Sequence, residues 1–236
     1  MPGYLPAIGY LPEIGYLPEI MKGLYSSLSL TFASLLISLI LSLAFTVMLA
    51  LKLPVASLCI KIYITLFTGT PLLVQIFLIY YGPGQFPAIR EQPWLWHLLS
   101  EPWLCAMSAL ALNSAAYSTQ LFYGAVRAIP ATQWQCCAAL GMSELQSLRI
   151  LLPFAVKRAL SSWSNEVILV FKSTSLACTI TLMDILGYSQ LIYGRNYDVM
   201  VFCSAGIVYL CINGLLTLLL RLAERRALVF EQRDND

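Results

Sequence analysis

The sequence predicts an all-α membrane protein of about five transmembrane helices, and three observations carry that reading. Hydrophobic residues make up 59% of the 236 positions and charged residues 11%, with a mean hydropathy of +0.75; a soluble domain carries about 25% charged residues. The charges are also clustered. Segments 23–51, 62–89, 102–126 and 199–220 contain no Asp, Glu, Lys or Arg, and each supplies the ~20 apolar residues that a spanning helix needs. A fifth hydrophobic stretch, 159–182, is interrupted only by Glu166 and Lys172.

The chain opens with GYLPAI, GYLPEI and GYLPEI in tandem. Pro6, Pro12 and Pro18 recur every six residues and each denies a helix a hydrogen bond, so short turns are expected and no long helix. Three copies are too few for a solenoid. The repeat reads as an expansion tolerated at an exposed terminus, with Tyr4, Tyr10 and Tyr16 at the lipid interface; a docking role is the alternative. No basic n-region or small-residue cleavage site precedes the first span, so that span is expected to be an uncleaved insertion signal.

Orientation follows from basic residues. With the N-terminus outside, the cytoplasmic segments hold ten of them (Lys52, Lys61, Arg127, Arg149, Lys157, Arg158, Arg221, Arg225, Arg226 and Arg233), and the outer segments three (Lys22, Arg90 and Arg195). The positive-inside rule favours this arrangement and a cytoplasmic C-terminus. The outer loop between the second and third spans, GPGQFPAIREQPWLWHLLSEPW, carries tryptophans suited to a headgroup interface. The expected organisation is an extracytoplasmic segment 1–22, a transmembrane domain 23–226 and a cytoplasmic tail 227–236.

The second span contains Thr70-Pro71 and Gln75, read as an unwound turn with a polar contact or as a packing kink. The third offers Asn113, Ser114 and Tyr117, and four residues separate Asn113 from Tyr117, which puts them on one helix face. The longest inner segment, about 127–158, reads as a helix over ATQWQCCAAL stopped at Gly141, then a second helix, SELQSLRILL, capped by Ser143 and ending near Pro153. Such a knob suits docking into a groove of another protein.

In the fourth span, Ser162, Asn165, Glu166, Leu169, Lys172 and Ser173 share a stripe at helical spacing. A charge in hydrocarbon costs about 2.5–3.5 kcal/mol even on translocon scales, so these residues are expected to face protein or a wet cavity. Glu166 is a natural counter-ion for a guanidinium or ammonium group; otherwise it pairs with Lys172 or a neighbouring helix. Lys172 is expected to be structural, because it repels a cationic substrate.

Seven cysteines without CxxC spacing and a single histidine, His97, give no metal or disulfide pattern; the cysteines read as small buried hydrophobes. A net charge of +2 argues against a nucleic-acid partner, and no cofactor is implied.

Several motifs resemble one family. Gly141 followed by Ile150-Leu151-Leu152-Pro153 resembles the EAA loop of binding-protein-dependent ABC importer permeases, although Gln135-Cys136-Cys137 stands in place of the acidic-Ala-Ala opening. FTGTPLLVQIFLIYYGPG is similar to the second span of the polar amino-acid (His/Glu/Gln/Arg/opine) permeases, with Thr68 for the usual Arg. NSAAYSTQLFYGAVRAIPATQWQ and NEVILVFKSTSLACTI resemble their third span and their N-E-x5-K-D-T-S-L region, with Ser173 for Asp. The resemblance runs from about Tyr16 to Arg226.

It implies a type I ABC importer permease fold. It further implies ABC ATPase subunits, a second permease subunit, identical or homologous, and an extracytoplasmic substrate-binding protein as partners. Transport of polar, and with Glu166 basic, amino acids across a bacterial inner membrane follows, arginine foremost. Gln135, Cys136, Cys137, Ala138, Gly141, Ile150 and Pro153 fall in the loop that couples to the ATPase. Glu166, Asn165, Ser162, Gln75, Thr70, Asn113 and Tyr117 are the candidate substrate contacts. The chain has no G-x-x-x-x-G-K-[ST] loop, so ATP hydrolysis is expected on the ATPase. The competing readings are an ion-gradient-driven transporter or channel without an ATPase, and a passive structural subunit. Five spans do not divide into the inverted repeats common in secondary transporters.

Overall fold

The computed structural model describes residues 14–232, all helices and the turns that join them. In chain order these are 3-10 turns at Ile14–Tyr16 and Met21–Gly23 flanking α1 (Leu17–Ile20), then α2 (Leu24–Ala50), α3 (Pro54–Gly69), α4 (Leu72–Tyr81), α5 (Pro87–Arg90), α6 (Pro93–Ser100), α7 (Pro102–Arg127), α8 (Ala131–Ala139) and α9 (Glu144–Ser173). A 3-10 segment, Thr174–Ile180, leads to α10 (Ile185–Asn196) and α11 (Met200–Gln232).

The bundle is built round α7, which packs against α2, α9, α4 and α3. Its buried face is made of small side chains, among them Ala109, Ser114, Ala115, Ala116 and Ser118. Facing it, α2 presents Ser27, Thr31, Ser34, Ser38, Ser42 and Thr46 in steps of three or four, none more than 6% exposed. Small residues on both sides let two backbones approach closely where lipid supplies no hydrophobic drive between helices. Two hydroxyls of this stripe bond across the seam: Ser34 donates to the Met107 carbonyl at 3.2 Å and Ser38 to the Ser114 hydroxyl at 3.0 Å. The opposite face of α2 is apolar and exposed, with Phe32, Leu36 and Ile40 outward. The helix is thus polar inward and apolar outward, the arrangement lipid selects.

Two helices are long and apolar enough to cross a membrane alone, Leu17–Ala50 and Met200–Arg226, and two bent pairs, α3 with α4 and α9 with α10, raise the number to four. Helix α7 falls outside that group by composition, although its 26 residues extend about 39 Å. Its neighbours enclose most of it, apart from a strip at Tyr117, Gln120 and Gly124, so much of its surface meets protein where a lipid-facing helix would need Leu and Ile.

The first two hexapeptides and residues 233–236 lie outside the described residues, apart from Ile14 at the start of the first turn. The third copy forms the 3-10 turn and α1, with Pro18 in the first turn, where its missing N–H costs nothing. It packs against the helical bundle. Ile20 is fully buried beside Phe171, Ile185 and Val201, with Tyr16 and Leu17 packed against the same cluster, and Glu19 lies 3.8 Å from Arg195. Entry to α2 depends on Gly23, where a Cβ would stand 2.2–2.4 Å from the backbone of Asp184 and Ile185.

At the end of the bundle where α8 and α9 join, two helices end in the same hydrogen-bonded cap. After α8, Gly141 donates to Ala138 and Met142 to Cys137, with Gly141 at φ 74. After α2, Lys52 donates to Leu49 and Leu53 to Met48, with Lys52 at φ 52. Both are Schellman closures; glycine adopts the left-handed conformation freely, whereas a lysine there costs about 1–2 kcal/mol.

Ser143 caps α9 as expected, its hydroxyl accepting from the Gln146 N–H at 3.3 Å while Gln146 Oε1 accepts from the Ser143 N–H at 2.8 Å. The expected stop near Pro153 is not there: α9 runs on for 30 residues, with Pro153 inside it. The second knob helix and the fourth span are one rod. Proline forfeits one backbone bond, and burial of Leu148, Leu151 and Ala155 in a cluster with Val126, Ile129 and Cys137 offsets the loss. The cysteines are also more exposed than expected: Cys59, Cys136, Cys203 and Cys211 lie on the surface, where lipid or a partner can cover a thiol.

Gly23→Ala forces the α1–α2 junction off the Asp184–Ile185 backbone. A loss of about 1–3 kcal/mol is expected, measured as a lowered thermal midpoint of the detergent-purified chain, with Gly15→Ala, which meets nothing within 4 Å, as the neutral control.

Candidate functional site

The site begins at the break between α3 and α4. Pro71 has no N–H and drives the preceding residue out of the helical region; Thr70 is accordingly extended at φ −117, ψ 145 and Pro71 at φ −63, ψ 134. The two helices diverge by 106°. A packing kink would have been far gentler, so the unwound turn is the correct reading.

A helix end inside a membrane leaves carbonyls that need donors, and here side chains supply them. Thr70 Oγ1 donates to Leu66 O at 2.7 Å. The Gln75 amide nitrogen approaches Phe67 O at 2.9 Å, Thr70 Oγ1 at 2.8 Å and Thr70 O at 3.1 Å, so its two N–H groups are shared among three acceptors. From α7, Asn113 donates to Phe67 O at 3.2 Å and to Gln75 Oε1 at 3.0 Å. Tyr117, one turn on, reaches Thr68 O at 3.5 Å, and Tyr63 donates to Leu112 O. The expected pair Asn113 and Tyr117 therefore shares a face and ties α7 to the break.

The break opens onto a cavity of about 550 Å³ whose wall includes Thr68, Gly69, Thr70, Asn113, Tyr117, Glu166, Leu169 and Ser173. Four of the seven expected substrate contacts, Thr70, Asn113, Tyr117 and Glu166, meet there. Gln75 does not line it; it lies behind the wall, 5% exposed, and acts as the clamp of the break. Ser162 and Asn165 line a neighbouring cavity of about 430 Å³ with Gln120 and Leu121. Tyr117, Glu166 and Leu169 form the partition, since they border both.

The stripe expected on the fourth span is divided accordingly. Ser162, Asn165, Leu169 and Lys172 are exposed, while Glu166 is 8% exposed. Its side chain is hydrogen-bonded to Ser114 of α7, whose hydroxyl in turn accepts from Ser38 of α2. Among the described residues no cation stands within ion-pair distance of Glu166. Lys172, six residues on, projects about 120° away round the helix, which removes the expected pairing between the two.

The C-terminal end of α3 adds its partial negative charge at the same wall, so carboxylate and helix end together suit a cation. The N-terminal end of α4 starts across the same break, and a helix start suits a carboxylate.

Ser173 and Leu169, expected on the stripe though not among the substrate contacts, line the wall; Thr68 and Gly69 in the wall and Ser38 behind Glu166 were not picked out as site residues. Thr68 and Gly69 flank a Pro-containing turn that itself was legible; Ser38 belongs to a three-or-four-residue Ser/Thr periodicity in the first span that was there to be read. Of the residues expected to couple to an ATPase, Cys137 turns inward, while Gln135, Cys136, Ala138, Gly141, Ile150 and Pro153 are exposed.

Residues 42–229 match the family model described as binding-protein-dependent transport system inner membrane component. The chain is 71% identical over 215 residues to the arginine ABC transporter permease protein ArtM of Escherichia coli strain K12, covering 91% of this chain and 97% of that one. It is 56% identical to the ArtM of Haemophilus influenzae, covering 90% and 94%, and 41% identical to the nopaline transport system permease protein NocM of Agrobacterium fabrum, covering 84% and 83%. Among solved structures, a chain from the crystal structure of an amino acid ABC transporter with histidines superposes with a TM-score of 0.81 at 27% identity, covering 93% and 99%. A chain of the inward-facing MetNI methionine ABC transporter shares the fold, with a TM-score of 0.70 at 14% identity, covering 91% and 99%.

If Gln75 and Asn113 act as one clamp, Gln75→Leu and Asn113→Leu are non-additive. Each single change is expected to cost about 1–3 kcal/mol by orphaning buried carbonyls, and the double change less than their sum, with a coupling of about 0.5–3 kcal/mol in thermal or denaturant unfolding.

Proposed function

The chain belongs to the inner membrane components of binding-protein-dependent transport systems, the permeases of ABC importers, and from that premise we propose that it carries basic amino acids, arginine first, through a cavity governed by Glu166. As a permease it is a transport subunit and not an enzyme; ATP is hydrolysed on a separate subunit, and a substrate-binding protein delivers the cargo.

The observation that carries the substrate reading is a buried carboxylate without an ion-pair partner among the described residues, set in a cavity beside the C-terminal end of α3. A guanidinium or ammonium group supplies the missing charge, and burial strengthens the resulting charge-assisted bonds. The substrate's own carboxylate is suited by the start of α4. Thr70, Asn113 and Tyr117 complete the wall, Gln75 holds it from behind, and Ser162 and Asn165 extend it along α9. The relatives named for arginine and nopaline transport support a guanidino cargo.

The exposed faces of α7 and α9 around the second cavity support a second permease subunit, identical or homologous, lying against Ser162 and Asn165. The topology we adopt has five spans, with α7 enclosed as the third, residues 1–22 and the α5–α6 loop extracytoplasmic, and the α8–α9 knob and residues 227–236 cytoplasmic. The distribution of basic residues supports it. Gln135, Cys136, Cys137, Ala138, Gly141, Ile150 and Pro153 then belong to the surface that meets the ATPase.

Glu166→Gln keeps the size and hydrogen bonding but removes the charge. Arginine uptake by reconstituted vesicles holding the complex is expected to fall at least tenfold at matched expression, with ATPase co-purification intact; unchanged uptake would assign Glu166 to packing alone. Removing residues 3–14 is expected to leave uptake unchanged, whereas Ile20→Asp, which puts a charge into the cluster beside Phe171, is expected to reduce the level of folded chain.

A further inference from the structure

A third cavity, of about 300 Å³, lies at the far end of the bundle from the α3–α4 break, where α2, α7, α8 and α9 meet. Lys52 and Arg127 border it from the ends of α2 and α7, Glu144 from the first turn of α9, and Trp134 and Tyr123 from α8 and α7. Its size falls at the lower end of the range for small-molecule sites.

Three observations point to a ligand. The wall carries both signs of charge, yet among the described residues neither Lys52 nor Arg127 lies within ion-pair distance of Glu144, so the charges are arranged round the space without cancelling each other. Trp134 and Tyr123, both half-buried, give the cavity two aromatic side chains, and an aromatic face attracts a guanidinium or ammonium group. Lys52 holds a left-handed backbone at φ 52, in the same cap that Gly141 makes without strain. A strained residue that reaches into a cavity is a pointer to function.

Two cations, one carboxylate and aromatic side chains match a small molecule with an anionic end and a cationic end. We propose that this cavity is a second, cytoplasmic binding site for an α-amino acid with a cationic side chain. Its carboxylate meets Lys52 and Arg127, and its distal cation meets Glu144 and Trp134. An amino acid so held bridges the coupling helix α8 to the ends of α2 and α7, which places the imported product where it can restrain the knob. The inference rests on the substrate class and topology proposed above, while none of the residues of this cavity is shared with the Glu166 site.

Equilibrium binding of radiolabelled L-arginine to the purified complex, with its ATPase, in phosphatidylcholine nanodiscs separates the two sites. In a Glu166→Gln background, saturable binding is expected to remain. Adding Glu144→Gln, or Lys52→Gln as a second variant, is expected to weaken it at least tenfold with the thermal midpoint unchanged. Agmatine, which lacks the carboxylate, is expected to compete at least tenfold less well than arginine. Complete loss of binding with Glu166→Gln alone, or retention in both double variants, overturns the cavity. Conversely, binding insensitive to Glu166→Gln but abolished by Glu144→Gln sustains the cavity and sinks the transport-site reading. Loss of the Glu144-dependent binding when phosphatidylethanolamine is included would identify a lipid headgroup as occupant and also overturn the proposal.

Discussion

The close seam between α2 and α7 is the constraint on which the rest of the molecule depends. In lipid, two apolar helices gain little by touching, so the contact has to be made by small side chains, hydroxyl bonds and dispersion. The Ser/Thr stripe from Ser27 to Thr46 and the Ala/Ser face of α7 meet those terms. Once α7 is held at the centre, its remaining faces become the mounting for everything else. Asn113 and Tyr117 turn to the α3–α4 break, Ser114 to Glu166, and Val126 to the cluster beneath the knob. The Ser38–Ser114 bond lies directly behind the carboxylate, so the seam also sets where that charge sits.

The same hub explains what was legible in the sequence and what was not. Charge-free runs disclosed the long helices, because lipid punishes a misplaced charge by about 2.5–3.5 kcal/mol. Ser143, Gly141 and Pro71 disclosed a cap, a stop and an unwound turn, because each acts through its own local stereochemistry. Pro153 misled by the same logic: a local rule forecast a stop, and apolar packing of Leu148, Leu151 and Ala155 carried the helix through. The division of the α9 stripe was beyond reach, since spacing tells which residues share a face but not which neighbour covers it. Glu166 and Asn165 are adjacent in sequence, and only the position of α7 buries one and exposes the other. Third-copy docking was hidden for a similar reason: GYLPEI reads the same at 9–14 and 15–20, and the sequence alone does not show that Ile20 meets Phe171.

The continuity of α9 bears directly on how the proposed transport would be coupled. Glu166 lies 13 residues beyond Pro153, about 20 Å along one helix, and the same helix begins at the Ser143 cap beside the proposed coupling surface. A push on the knob therefore reaches the carboxylate through a single rod, without a loop to absorb it. The one missing backbone bond, at Pro153, is the place where that rod can flex, and it sits between the Val126–Leu148 cluster and the cavity. At the other side of the cavity, α3 and α4 are joined by a turn whose carbonyls are held by Gln75 of α4 and by Asn113 and Tyr117 of α7. In the proposed cycle, movement of α9 relative to α7 would shift Glu166 against a wall held by the Gln75–Asn113 clamp. A cation bound to both would then feel its two sets of contacts change in opposite senses, and an ATP-driven stroke needs that difference in affinity between states to release its cargo.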